Sequence, residues 1–279
     1  MDIKLSESFL AYKSFKYLKI SAGVLLITLI AYLAHDPGRA PNGGTWFGYT
    51  LGAISAGLVV FLGWFGIKKR QFMSGTDLLK GWLSAHVYLG VLVIFLSLFH
   101  SGFQLGLNLH SLLWTLLVLT VLSGMYGVFC YVWYPSILTG SRQGLTRAEI
   151  LLELSELDMQ CRDVAMGLGD EINAAILRAA EGTQVGGSLA KMLDVDPVDC
   201  PTKLALEFLD DTEVSGTEQE TALRKLRAVL IRKLELLRRL RTYVRAATLV
   251  RLWLYFHIPL SIGTLVALAA HVFAVFFYW

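Results

Sequence analysis

Four histidines lie in two apolar stretches of the sequence, and both stretches place them fourteen residues apart. The first stretch reads HVYLGVLVIFLSLFH, from His86 to His100, and the second reads HIPLSIGTLVALAAH, from His257 to His271. Fourteen helical residues rise about 21 Å and return a side chain to within about 40° of its starting direction. Each stretch, if helical, therefore presents two imidazoles on one face at two different depths.

The composition predicts that both stretches lie in a membrane. The chain of 279 residues is 55% hydrophobic and only 17% charged, with a mean hydropathy of +0.55. Soluble domains carry about 25% charged residues, and a membrane-spanning helix needs about 20 mostly apolar ones. We expect five spans, at about 17–34, 46–67, 81–105, 112–134 and 249–279.

The distribution of positive charge predicts the orientation of these spans. Cytoplasmic loops are enriched in lysine and arginine. The cations cluster before the first span and between the second and third, as Lys4, Lys13, Lys16, Lys19, Lys68, Lys69, Arg70 and Lys80. The opposite loops carry almost none, so we expect the N-terminus inside and the C-terminus outside. We expect a bacterial or archaeal inner membrane.

A polar segment between the fourth and fifth spans has helical periodicity. The predicted organisation is 1–134 for four spans, 135–248 for a helical insert on the inner side, and 249–279 for the fifth span. The end of the insert reads as one long basic helix that can continue into the fifth span. Its cations have three interpretations: binding of anionic headgroups, docking of an acidic redox partner, or pairing within a helical hairpin. We do not expect nucleic acid to bind.

Haem is the ligand that best fits the four histidines. The third and fifth spans run in the same direction, which places one histidine of each span at each depth. A b-type haem takes two axial imidazoles in an apolar slot, and a buried imidazole needs a partner. The absent side chains of Gly90 and Gly102 would leave room for the ring. We expect an all-α membrane protein whose two stacked haems b have as axial ligands His86 with His257 (inner) and His100 with His271 (outer).

Other interpretations of the histidines stay open. They could bind zinc or another small ion, serve a proton path or metal transport, or simply make hydrogen bonds between helices. His86 and His100 are too far apart to share one ion, and the spans offer few further ligands. The three cysteines form no CxxC pair, which argues against an iron–sulfur cluster in this chain.

The histidine motifs resemble those of the ferric reductase-like transmembrane domain, which ferric reductases, NADPH oxidases and related bacterial b-type cytochromes share. In that family, two parallel spans separated by one antiparallel span each supply two haem ligands. The resemblance implies transmembrane electron transfer, with His86, His100, His257 and His271 as ligands. It covers the membrane part and leaves the insert unexplained.

The chain contains no glycine-rich phosphate loop, unlike family members that carry a flavin and nucleotide domain. We therefore expect an electron-transfer subunit of an oxidoreductase complex rather than a complete enzyme. Its partner would carry flavin, iron–sulfur or haem centres, and a quinone-reactive anchor subunit is the alternative. Further candidate contacts to haem propionates or a quinone are Arg39, Tyr49 and His110 at the outer end and Lys80, Arg251 and Tyr255 at the inner end.

Overall fold

The computed structural model describes residues 9–35, 38, 41–71, 76–104, 106, 108–133, 147–214 and 216–277. All regular secondary structure in these ranges is helical, which confirms the predicted fold class at that level. A 3₁₀ turn at Phe9–Ala11 precedes the first α-helix. The α-helices are α1 (Tyr12–Ala34), α2 (Trp46–Gln71), α3 (Thr76–Ser101), α4 (Leu109–Trp133), α5 (Arg147–Ala165), α6 (Asp170–Gly182), α7 (Leu189–Leu193), α8 (Pro201–Asp210) and α9 (Thr217–Phe277).

Among the residues that the structure describes, five helical segments are long and apolar enough to cross a membrane. Four of them are Phe9–Ala34, Trp46–Gly66, Leu79–Ser101 and Leu109–Cys130, and the fifth lies in Thr217–Phe277. This confirms an integral membrane protein. The reason is that lipid offers no hydrogen bonds to the backbone, so an apolar segment of this length satisfies its own amides as a helix.

Backbone angles explain where the first span begins and where the third span ends. Lys13, Ser14 and Phe15 have φ angles of 45°, 56° and 61°, so regular helix follows them, close to the predicted start of the first span. The third span ends at Ser101 rather than 105, because Gly102 and Phe103 take φ angles of 60° and 62°. A side chain on Gly102 would overlap the carbonyl of Pro41. Gly102 therefore permits a close turn, and the expectation that it makes room for a ligand is wrong.

The basic segment and the fifth predicted span belong to one helix of 61 residues, α9. Pro259 lies inside it, and the helix continues on both sides of the proline. By contacts, the chain divides into two compact units, one of Met1–Val132 with Trp253–Trp279 and one of Trp133–Leu252. Below, the first is called the membrane unit and the second the insert unit.

In the membrane unit, α1, α2 and α3 share a tightly packed apolar interface. Leu51, Leu92, Leu96 and Phe99 are buried there, and Leu96 is 1% exposed. Small residues let membrane helices approach closely, and Ser84 on α3 is fully buried accordingly. Helix α3 is thus held in a fixed position, and it carries two of the four histidines.

In the insert unit, α9 is the element around which the other helices pack. Its Leu223, Leu226 and Leu230 are buried against α5, α6 and α8. The ammonium of Lys233, a residue only 2% exposed, donates to Asp158 at 2.5 Å and to the carbonyl of Ala179 at 3.1 Å. Because burial disfavours the thiolate, the pKa of Cys161 is raised to about 11, despite the opposing effect of Lys233.

The cations of the basic helix are largely used within the insert unit. Four of them pair with carboxylates of other segments: Arg227 with Asp210, Arg232 with Glu153, Lys233 with Asp158 and Arg238 with Asp196. This arrangement favours the third of the interpretations above, in which the positive charge of the helix is neutralised inside a helical hairpin.

Candidate cofactor site

Helices α3 and α9 bring the four histidines together in two pairs. His86 and His257 line one cleft, and the ring centres of His100 and His271 lie 6.2 Å apart. The two helices therefore run in the same direction at the histidines. His86 with His257 is called the first pair below, and His100 with His271 the second pair.

The cleft of the first pair is apolar and contains a cavity of about 100 Å³. Small-molecule sites typically measure about 300–1,000 Å³, so the cavity is only part of the space that a haem would fill. Glycines from three helices line it: Gly63 on α2, Gly90 on α3 and Gly124 on α4. A side chain on Gly90 would meet nothing within 4 Å, so the glycine faces open space. This agrees with the expectation of room beside Gly90.

The ring of His257 is oriented by Ser123 on α4. The distance from Ser123 Oγ to His257 Nδ1 is 2.7 Å, and the same hydroxyl donates to the carbonyl of Thr120 at 2.8 Å. A hydroxyl has one proton, so while it donates to Thr120 it must accept from Nδ1–H. In the neutral ring, Nε2 then carries the lone pair. Metal-binding histidines commonly have this arrangement, in which the second nitrogen donates to a fixed acceptor.

Each histidine of the first pair is also packed against an aromatic ring. Phe65 on α2 lies 4.8 Å from His86 by ring centres, and Trp253 stacks on His257 at 5.2 Å. The indole N–H of Trp253 donates to the carbonyl of Ser123 at 2.7 Å. Ser123 thus holds the imidazole through its hydroxyl and the indole through its backbone.

In the second pair, the ring of His100 fills a recess lined by glycines. Its Nδ1 lies 2.7 Å from the carbonyl of Gly48, and since a carbonyl only accepts, Nδ1 must be the donor. A side chain on Gly52 would lie 2.6 Å from His100 Cε1, and one on Gly43 would lie 2.8 Å from the same atom. Only glycine at these two positions lets the imidazole sit so close to the backbone of α2 and the loop before it.

His271 lies between two other imidazoles. His110 on α4 contacts it edge to face, with ring centres 4.5 Å apart, and His100 is almost perpendicular to it at 6.2 Å. A metal–imidazole bond is about 2.0–2.1 Å, so two rings on opposite sides of one metal have centres about 6 Å apart. The Nδ1 atom of His271 is buried and makes no hydrogen bond with any residue that the structure describes.

Two facing imidazoles in each pair are a donor set that fits haem. Two of the four imidazoles donate through Nδ1 to fixed oxygens, which leaves Nε2 as the ligand atom. In the part of the chain that the structure describes, no three His, Cys, Asp or Glu side chains form a group that could hold a metal ion by themselves. Bis-imidazole ligation requires only two side chains for each iron.

The candidate contacts to haem propionates or a quinone differ in where the structure places them. His110 contacts His271 as described, whereas Tyr49, Lys80 and Tyr255 are exposed, with Tyr255 at 77%. Arg251 is exposed and belongs to the insert unit. Arg39 lies outside the described residues.

The sequence reasoning missed the residues that hold the rings. Gly44, Gly48 and Gly52 recur at intervals of four, the small-residue spacing that lets membrane helices come close. This spacing was a signal for close packing against α2, although it does not reveal that an imidazole occupies the recess. Nothing in the sequence around Ser123 distinguishes it from the other hydroxyl residues of the spans.

Comparison of the sequence with protein-family models and curated proteins, and of the structure with solved structures, gives no significant match.

Proposed function

We propose that the chain is a two-haem cytochrome b subunit that carries electrons across a membrane as part of an oxidoreductase complex. The observation that carries the proposal is the apolar cleft between α3 and α9, which His86 and His257 both line beside the open space at Gly90. The second pair adds support, because its ring separation of 6.2 Å equals that of two imidazoles on one iron.

The residues of the chain have separate tasks in this function. His86 with His257 and His100 with His271 would hold the two haems through their imidazole nitrogens, and Ser123 and the Gly48 carbonyl fix the tautomer of one histidine in each pair. The apolar lining excludes water from the cleft. Haem supplies one-electron chemistry, since its iron is stable in both the ferric and the ferrous state.

The proposal extends to the class of protein and to the membrane in which it lies. The histidine pairs support membership of the ferric reductase-like transmembrane class, in a form that depends on a separate redox subunit with flavin, iron–sulfur or haem centres. The distribution of lysine and arginine supports a bacterial or archaeal inner membrane, with the N-terminus inside and the C-terminus outside.

A reduced-minus-oxidised visible spectrum of the purified chain, with haem counted per polypeptide, tests the proposal. We expect two b-type haems in the wild type and loss of a different one in His257→Ala and in His271→Ala. His35→Ala is the matched control, because His35 sits at a span end, where its ring packs against Trp46 and Phe47. Haem content that is absent, or equal in all variants, would contradict the proposal and favour transport of metal or protons.

A quinone-reactive anchor subunit is the second candidate, and His110 is the observation that favours it. His110 is exposed at the start of α4, and its ring touches His271. Oxidation of a quinol releases two electrons and two protons. The two haems of the proposal would take one electron each, the neutral imidazole of His110 would take one proton, and solvent would take the other. Reduction of the second haem by a short-chain quinol, and its loss in His110→Ala while both haems remain bound, would distinguish this function.

A further inference from the structure

Helix α5 of the insert unit has a second apolar face that no described residue covers. Its first face, with Leu154, Leu157 and Cys161, is buried against neighbouring helices. On the other face, Leu152, Met159 and Met166 are 61%, 58% and 73% exposed. Met166 directly follows the helix and still donates its backbone N–H to Arg162, so it continues the helical path.

These three side chains form a straight line, and a row of acids accompanies them. The apolar residues are spaced by seven, and so are Glu149, Glu156 and Asp163, each three residues before one of them. Seven residues correspond to almost two full turns, so each set keeps its direction along the helix. Residues three apart are neighbours on a helix surface, so the acidic row and the apolar row run side by side along one face of α5.

The acidic row differs in its charge balance from the other carboxylates of α5. Glu153 is paired with Arg232 and Asp158 with Lys233. Glu156 and Asp163 are exposed and form no ion pair with any residue that the structure describes. An open groove lies beside the first half of this face, and Leu152, Glu149 and Glu156 are among the residues that line it.

We propose that this face of α5 binds a helix of a partner protein that carries lysine or arginine opposite the acids and apolar side chains opposite Leu152, Met159 and Met166. Charge complementarity selects this partner. Flexible methionines adapt to a bound helix, and helix-in-groove binding uses this type of spacing. The inference goes beyond the proposed function, since the face is complete whether or not haem is bound.

Other occupants fit the charges less well. Three carboxylates beside the apolar line would be repelled by an anionic lipid surface. A second copy of α5 would place one acidic row beside another. The exposed cations Arg224, Arg232 and Arg238 of α9 are paired with acids of their own chain, so they do not offer a second copy a free basic surface.

Photocrosslinking in membranes of the native host tests the proposal on the full-length chain. The photoreactive residue p-benzoylphenylalanine replaces Met159, and the crosslinked peptide is identified by mass spectrometry. We expect one partner protein, joined through a segment with helical spacing of basic and apolar residues. The matched control places the same probe at Leu204 on α8, which is 50% exposed and lies outside the acidic row.

A charge-reversal variant tests whether the acidic row contributes to binding of the partner. In the Glu156→Lys and Asp163→Lys double variant, we expect the crosslink yield to fall by about tenfold or more, because like charges would then face each other. A crosslink to lipid, to a second copy or to the chain itself, no crosslink, or a yield indifferent to the charge reversal would overturn the proposal. The haem spectrum of the same membranes is read in parallel, so failure of the haem assignment remains distinguishable from failure of docking.

Discussion

The first pair faces an open cleft, whereas the second pair is packed among other groups. His86 and His257 line an apolar cavity of about 100 Å³ bordered by glycines of three helices. His100 fills its recess so closely that a methyl group on Gly52 would lie 2.6 Å from its ring, and His110 rests against His271. Two stretches with one spacing thus produce two different surroundings.

The difference teaches how each ring is fixed. In the first pair, His257 donates to the Ser123 hydroxyl, which rotates and can be removed by mutation. In the second pair, His100 donates to the Gly48 carbonyl, which is part of the backbone. The first pair is therefore sensitive to cleft volume and to one side chain, and the second to the space that glycine leaves on α2.

The largest expected effect comes from filling the cleft. Gly90→Leu should lower haem content by about half, because the new side chain would occupy the space that the haem between His86 and His257 needs. Folding should be little affected, since nothing lies within 4 Å of the added Cβ. Haem per polypeptide is measured, with Gly57→Leu on the exposed side of α2 as control. Equal haem in both variants would show that the cleft does not hold haem.

Adding a single methyl group beside His100 tests the second pair. Gly52→Ala should displace His100 from the Gly48 carbonyl and weaken haem binding there by about 100-fold, the upper end for loss of an orienting hydrogen bond. Titration of haem into the apo-protein measures the affinity of each site. The first site should bind as in wild type, and Gly57→Ala should leave both unchanged. Weakening at the first site instead would contradict the pairing.

Ser123→Ala should have a smaller effect, confined to the first pair. The variant loses the acceptor for His257 Nδ1–H, and we expect an affinity loss of about tenfold and a shifted midpoint for one haem only. Potentiometric titration followed by visible spectroscopy measures both midpoints. Ser261→Ala is the control, because the Ser261 hydroxyl donates to the His257 carbonyl and not to the ring. If both variants shift the same midpoint equally, the tautomer argument fails.

The smallest effect concerns the contact between α4 and α9 beside the first pair. The hydroxyls of Thr120 and Thr264 lie 2.9 Å apart, and Thr264 is 2% exposed. A double-mutant cycle with Thr120→Val and Thr264→Val should give a coupling of about 0.5–1.5 kcal/mol, the net value of one hydrogen bond. Thermal unfolding in detergent measures it. Additive single effects would mean that the bond contributes nothing to holding the cleft.

Much of the fold was predictable because the membrane restricts the choice of structure. Five apolar runs predicted five helices, and α2 and α4 agree with their predicted spans to within a few residues. The end of α3 was placed too late. The reason is that the close approach of Gly102 to Pro41 is a contact between distant parts of the sequence, which hydropathy does not reveal.

The sequence by itself determined the membrane class and the four histidines at two depths, because both follow from composition and from the period of a single helix. Only the tertiary structure decided that one pair faces a cleft and the other fills a recess. It also decided which atoms hold the rings, since Ser123 and Gly48 reach His257 and His100 from other helices. A helix fixes the direction of its side chains, but the neighbouring helices decide what each side chain meets.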